Sequence, residues 1–422
     1  MCIPYCLVMN TFYSFPTIAQ KLFGDDTELF SSVNELFEME MANLEYAILP
    51  QEQLIKRSAF FKMISGQPTK HFLLYAHQAQ VISENRSAKT KSYFEDSQFS
   101  TGYATHSLFP YRGKFHPQLI KGLLNILGIQ EGETILDPMC GSGTTNIEAA
   151  LMGIHSFAVD ISPFCQFMTQ TKFEALTLQK NLIEHLQGKA ESLFHFFHVD
   201  NIAEQFKKID DPEKLKVYHL ALLAFLDAMG YSKRVTTSTH QQLFEKVLAR
   251  YIGTVKNFLE NPHFSQHDIG NVVILSNSNA LQIELGDNTV DGVITSPPYS
   301  FAIDYAKNDE SQLQYFGYNI STLRSHMIGL IGKNKQERLN NYFRDMAIVC
   351  GEIYRVLKPG KYFVMIIGSN TNQTGGIRLE QTIIDECKKL GMPLVKSILK
   401  PIKGMRNTMK DEYVLFFQKV TP

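Results

Sequence analysis

The chain has 422 residues, a formal net charge of −1, 44% hydrophobic and 20% charged residues. That balance excludes a disordered chain and a polycation, so any nucleic-acid surface must be a local basic patch. The length suffices for one large α/β domain with one or two helical additions.

The six cysteines, Cys2, Cys6, Cys140, Cys165, Cys350 and Cys387, are scattered with no CxxC pair. This argues against a zinc ribbon or a disulfide framework and for a reducing cytoplasm, and no metal site is expected. The apolar start, Met1 to Met9, lacks a basic n-region and a clear cleavage site, so no signal peptide is expected. No apolar run approaches the length that crosses a membrane.

Residues 1–104 form the first segment, a helical N-terminal region. Thr17–Phe23, Val33–Leu49 and Gln51–Ile64 show helical spacing of apolar residues. Glu84–Ser92 is polar and reads as a loop. A structural extension is favoured here over a DNA-contacting arm. The central domain begins near residue 105. Pro117 opens a helix that continues through Leu127. His116, just before it, reads as a packing or capping residue, with a place on a pocket wall.

A short buried strand, Glu133–Leu136, runs into Asp137-Pro138-Met139-Cys140-Gly141-Ser142-Gly143-Thr144-Thr145 and then a helix, Asn146–Met152. Strand, glycine turn and helix make the first crossover of a doubly wound α/β sheet. The second strand, His155–Asp160, ends in an acid. Residues 177–270 read as a helical insertion, with a buried helix at Leu220–Leu226 and an amphipathic one at Gln241–Leu259. The latter carries Lys246, Arg250 and Lys256 on its polar side, a pattern that usually marks a solvated face. The sheet resumes in residues 271–422. Its strands are Val272–Leu275, Asp291–Ile294, Lys361–Ile367, Leu394–Leu399 and Tyr413–Phe417, with a helix at Tyr342–Leu357. Seven strands result, and the last two, close in sequence, predict one antiparallel strand at an edge.

The glycine turn suits an anionic ligand group, because glycine admits close approach and the helix start offers unpaired N–H groups. Asp137 at the strand tip puts a carboxylate where a cationic group would lie. A ligand with both charges, such as the methionine half of S-adenosylmethionine, suits that pair. Asp160, roughly 20 residues past the glycines, is placed for ribose hydroxyls. The second chemical stretch, Thr295-Ser296-Pro297-Pro298-Tyr299, ends a buried strand on the same side of the sheet. A proline-rich loop can merely stop a strand. Here it lies downstream of a nucleoside-type pocket, and its residue types suit methyl transfer to an exocyclic amine. The Ser296 hydroxyl and the Pro297 carbonyl are acceptors, the prolines stiffen the loop, and Tyr299 can stack on a base.

These residues resemble the DNA amino-methyltransferase family, most closely its cytosine-N4-specific members. Asp137 to Thr145 is similar to the family's S-adenosylmethionine-binding motif, Asp160-Ile161-Ser162-Pro163 to its ribose motif, and Thr295 to Tyr299 to its catalytic tetrapeptide in the Ser form. Tyr111 to Pro117, including Phe115 and Pro117, resembles the wall at the methionine end of the pocket. Asp304-Tyr305, Arg355 to Gly360 and Glu412 to Leu415 also look familial. The resemblance covers roughly residues 105–175 and 270–420. It departs at Asn279, where the family usually has an acid that holds the adenine amine; Asn still accepts through its carbonyl oxygen.

The resemblance implies a Rossmann-like class I S-adenosylmethionine-dependent methyltransferase sheet. Met139, Gly141, Ser142, Gly143, Thr144, Asp160, Ile161 and Asn279 would join Asp137 around the cofactor. It implies double-stranded DNA as the partner, a flipped target base, cytoplasmic action by a monomer or dimer, and a restriction endonuclease acting on the same site. Adenine-N6 methylation, RNA or protein-glutamine methylation, and a catalytically weak DNA-binding regulatory subunit are the rivals. Cytosine-C5 chemistry lacks its Pro-Cys dipeptide, since Phe164 separates Pro163 from Cys165. Candidate DNA-reading cations are Arg324, Lys333, Lys335, Arg338 and Arg344, and the run Lys396, Lys400, Lys403, Arg406 and Lys410.

Overall fold

The computed structural model describes residues 22–30, 33, 36–78, 102–111, 113–186, 188–198, 201–232, 237–298, 304–368, 377–401 and 411–421. Tyr299, Lys403, Arg406, Lys410 and the 84–92 loop lie outside them, as does most of the helix expected at 17–23.

The N-terminal region is helical only in part. Strand β1 (Thr27–Leu29) precedes helices α1 (Leu36–Ile48) and α2 (Gln51–Arg57), strands β2 (Phe61–Ile64) and β3 (Gln67–Pro68), and helix α3 (Lys70–Gln78). β2 pairs antiparallel with both β1 and β3. The helical spacing read over Gln51–Ile64 therefore fails beyond Arg57, where Ser58 turns extended. The missed signal is Ser65-Gly66, whose positive φ angles of 47° and 75° make the two-residue hairpin turn between β2 and β3. This region shares a core with the main sheet: Phe37, Met41 and Phe60 pack with Leu123, Ile135 and Val414.

The main body alternates strands and helices: α4 (Pro117–Ile126), β4 (Thr134–Asp137), α5 (Thr144–Leu151), β5 (His155–Ala158) and α6 (Pro163–Leu176). The insertion follows as α7 (Lys180–Glu184), α8 (Ala190–Phe197), α9 (Ile202–Phe206), α10 (Pro212–Ser232) and α11 (His240–Leu259). Leu220 to Leu226 are fully buried within α10, as their unbroken apolar run requires. On α11, Arg250 pairs with Asp227 at 2.7 Å and Lys256 with Glu184 at 3.1 Å, so that polar face is tied within the insertion.

The second half supplies β6 (Val272–Ile274), β7 (Val290–Thr295), α12 (Tyr305–Asn308), α13 (Glu310–Tyr315), α14 (Ile320–Arg324), α15 (Lys335–Val356), β8 (Leu357–Gly368), α16 (Leu379–Lys389), β9 (Leu394–Pro401) and β10 (Asp411–Gln418). The seven-stranded sheet has the order β6-β5-β4-β7-β8-β10-β9. The pairs among β6, β5, β4, β7 and β8 are parallel, and β10 runs antiparallel to both β8 and β9. The single antiparallel strand is therefore one place in from the edge, not at it. The residues explain why. Val414 and Phe416 are buried on one face and Leu415 and Phe417 on the other, as an interior strand needs. β9 alternates instead, with Val395 and Leu399 more than half exposed, as an edge strand tolerates.

Strand order reverses between β4 and β7, which pair through Ile135–Gly292 and Leu136–Val293. Open α/β sheets bind their ligands in the crevice at the carboxyl ends of such strands.

Candidate active site

A cleft of ≈ 1540 Å³, its open mouth included, lies at that crevice. Its lining includes Phe115, Met139, Gly141, Ser142, Thr144, Asp160, Ile161, Asn279, Ser296 and Pro298, ten of the site residues read from the sequence. Asp137, Gly143, Pro117 and Pro297 are not among the lining residues.

The glycine turn is held from several sides. Gly141 (φ 50°) and Gly143 (φ 75°) adopt the left-handed region, and a Cβ on Gly143 would meet the Thr169 side chain at 2.7 Å. The Gly141 N–H donates to Asp160 Oδ2 at 2.9 Å, and the Ser162 N–H donates to Asp160 Oδ1 at 2.8 Å. Below the turn, the buried Lys172 donates from Nζ to the Ser142 carbonyl at 3.1 Å. Behind it, Glu148 of α5 is fully buried and accepts from Tyr103 and from His106 Nε2, the latter at 2.6 Å, while Lys121 lies at 3.8 Å. Pro117 opens α4 with His116 as its N-cap, and His116 and Leu119 reach the cleft while Pro117 does not. Burial lowers His116 to about 4, so it is neutral at pH 7.

Asp137 departs from expectation. It is 1% exposed and does not line the cleft. Its Oδ1 accepts from the Met139 N–H at 3.2 Å and from the Thr295 hydroxyl at 3.0 Å. Through Oδ1 the carboxyl thus ties the tip of β4 to the tip of β7, while its buried Oδ2 has no hydrogen-bond partner among the described residues. Burial raises it to about 7, and burial also raises Asp160, to about 6. Asn279 lines the cleft, but its Oδ1 already accepts the Leu281 N–H at 2.8 Å. One lone pair of that oxygen remains to accept a further hydrogen bond.

Tyr111, Tyr305, Asp309 and Cys165 also line the cleft. The Tyr111 and Tyr305 rings lie 6.4 Å apart and 15° from parallel. Asp309 went unread in the sequence, for an acid between two short helical turns carries no motif. Burial, then the neighbouring Asp160, raises it to about 7. Burial also pushes the Cys140 and Cys165 thiols up, which keeps them protonated and unsuited to nucleophilic attack.

The expected DNA-reading cations are largely engaged within the chain. Arg324 pairs with Asp304 at 2.6 Å, Arg344 with Asp345 at 3.0 Å and Lys396 with Glu40 at 2.8 Å. Lys400 pairs with Glu412, and Arg338 donates to the Gly332 carbonyl at 3.0 Å.

A family model, UPF0020 (RMKL-like, methyltransferase domain), matches residues 107–210. Over 317 residues, 60% of this chain and 61% of the relative, the chain is 26% identical to Type II methyltransferase M.BsoBI of Geobacillus stearothermophilus. Over 153 residues, 35% of this chain and 28% of the relative, it is 41% identical to Type II methyltransferase M.MjaII of Methanocaldococcus jannaschii. The chain is thus similar, over part of its length, to Type II methyltransferases. The matches span less than two thirds of these two relatives' own lengths. A stretch of 53 residues, 13% of this chain and 16% of the relative, is 43% identical to a tRNA (guanine(10)-N2)-dimethyltransferase of Methanothermobacter thermautotrophicus.

The sheet has the strand order of the Rossmann-like class I methyltransferase fold, for which the sequence leads one to expect S-adenosylmethionine. The residues present fit that molecule. Asp160 stands at the second strand tip, two left-handed glycines admit close backbone approach, and Ile161 and Leu281 give the cleft apolar walls. No helix among the described residues is long and apolar enough to cross a membrane.

Proposed function

We propose that this chain methylates the exocyclic N4 amine of a cytosine in a specific double-stranded DNA sequence, as the modification enzyme beside a restriction endonuclease. The supporting observation is that Ser296 and Pro298 open into the same cleft as Gly141 and Asp160, because Asp137 bridges the two strand tips. Bound there, S-adenosylmethionine supplies an already activated methyl group on a sulfonium. Asp160, Ile161 and Asn279 are the residues for its nucleoside half, and Phe115, Met139, Ser142 and Thr144 for its amino-acid half.

What remains for the chain is alignment. An exocyclic amine is a weak nucleophile because its lone pair is delocalised into the base. Acceptors aimed at both N–H bonds localise that pair, and the Ser296 hydroxyl and Pro297 carbonyl are suited to this role. The ring of Pro298 fixes φ and stiffens the loop, and its missing N–H leaves no competing donor. Tyr299 is the ring for the base face. A base inside a duplex is out of reach, so the target is extruded into the cleft. Within this reading the chain works in the cytoplasm.

Nucleoside analysis of DNA treated with the purified chain and S-adenosylmethionine tests the proposal. N4-methylcytosine is expected. N6-methyladenine as the sole product would transfer the reading to adenine, and no methylated DNA base would overturn it. The short match to a tRNA guanine-N2 enzyme favours one second reading. Transfer RNA in the same assay would yield N2-methylguanine if that reading holds.

A further inference from the structure

Removing Asp137 from the cleft wall leaves open which carboxylate meets the positive charge of the donor. Among the described residues, three that bear a carboxyl line the cleft: Asp160, Asp309 and Glu412. Asp160 takes one backbone N–H on each oxygen and holds the glycine turn. Glu412 is paired with Lys400 across β9 and β10. Asp309 differs from both. It lies at the junction of α12 and α13, is 7% exposed, and faces the Tyr111 hydroxyl, which itself meets Cys165 Sγ at 3.3 Å. No cation among the described residues is paired with it.

Its position selects one end of the donor. Tyr111 lies over the glycine turn, with Cε1 only 3.6 Å from where a Cβ on Gly141 would stand. The start of α5 at Thr144 offers unpaired N–H groups to a carboxylate. An amino acid whose carboxylate meets those N–H groups presents its ammonium a bond or two away, toward the Tyr111–Asp309 side. A carboxylate backed by two tyrosine rings is the natural receptor for an ammonium.

Building on the donor assignment above, we propose that Asp309 receives the ammonium of the donor's amino-acid end, with Tyr111 positioning its carboxylate. It thus takes the role that the strand-tip Asp137 has in the sequence reading. The groups facing Asp309 are Asp160, Tyr111, Cys165 and Tyr305.

Three ligands separate the possibilities, each measured by calorimetry on the full chain at pH 8. S-adenosylmethionine and S-adenosylhomocysteine carry the amino acid; 5′-methylthioadenosine lacks it. Asp309→Asn is expected to weaken the first two alike, by about tenfold, and to leave the third unchanged. Unchanged binding of the third also shows that the variant is folded. Equal loss of all three, or no loss of any, would overturn the proposal. Loss confined to the sulfonium ligand would do so as well, by moving Asp309 to the methyl group. In the unaltered chain, acidification from pH 8 to pH 6 carries Asp309 through its raised value of about 7. S-adenosylhomocysteine should then weaken relative to 5′-methylthioadenosine, and a constant ratio would count against the role. If the unaltered chain binds none of the three, the donor assignment itself fails, which is a separate result.

Discussion

The two sides of the cleft are built differently. The donor side, from β4 through α6, is a local construction whose polar groups are anchored within about 40 residues of sequence. Gly141, Asp160, Ser162, Ser142 and Lys172 hold one another directly. The acceptor side, from β7 through α14, consists of short helical pieces, and it joins the donor side at its base through Thr295 and Asp137, 158 positions apart. A local site is legible as a motif. A site assembled across the sheet is not, and its weak point is the joint.

This contrast is open to attack on each side. The largest effect is expected behind the donor side. Glu148→Ala would leave Tyr103 and His106 without their buried partner and Lys121 without its counter-charge. A loss of about 3–5 kcal/mol is expected in denaturant unfolding, with donor binding lost in parallel. Full stability in that variant would mean that the turn does not depend on the network behind it.

The next effect tests the joint. Thr295→Val keeps the shape and removes the hydroxyl that meets Asp137. Turnover should fall about tenfold, in line with a lost hydrogen bond to a charged group, while donor affinity holds and Thr295→Ser restores the rate. A fall in donor affinity with unchanged turnover would place Thr295 on the donor side alone.

The smallest effect has a sign fixed by linkage. Asp309 has its folded pKa raised from 3.8 to about 7, chiefly by burial. Between those values the folded chain holds the extra proton, so stability is lost as pH rises through 7. Asp309→Asn should therefore melt about 1–4 °C higher than the unaltered chain at pH 8 and no higher at pH 4. A lower melting temperature at pH 8 would show that the ionised carboxylate is held by a partner.

How much of this was legible follows from the same contrast. The seven strands and the parallel core were readable because buried strands carry unbroken apolar runs, such as Phe363–Ile367. The placing of β10 inside β9 was readable in principle, since Tyr413–Phe417 is apolar on both faces. Helical spacing in the residues before Ser65-Gly66 masks the hairpin turn there. Asp309 had no local signal at all.

The sequence by itself determined where the candidate motifs stand, because a glycine turn, a strand-tip acid and a Ser-Pro-Pro-Tyr loop are properties of a few adjacent residues. Tertiary structure alone decided which acid faces the cleft. Exposure depends on what packs over a side chain: Asp137 is covered by the neighbouring strand tip, whereas Asp309 is brought to the wall by helices more than 170 residues further along the chain.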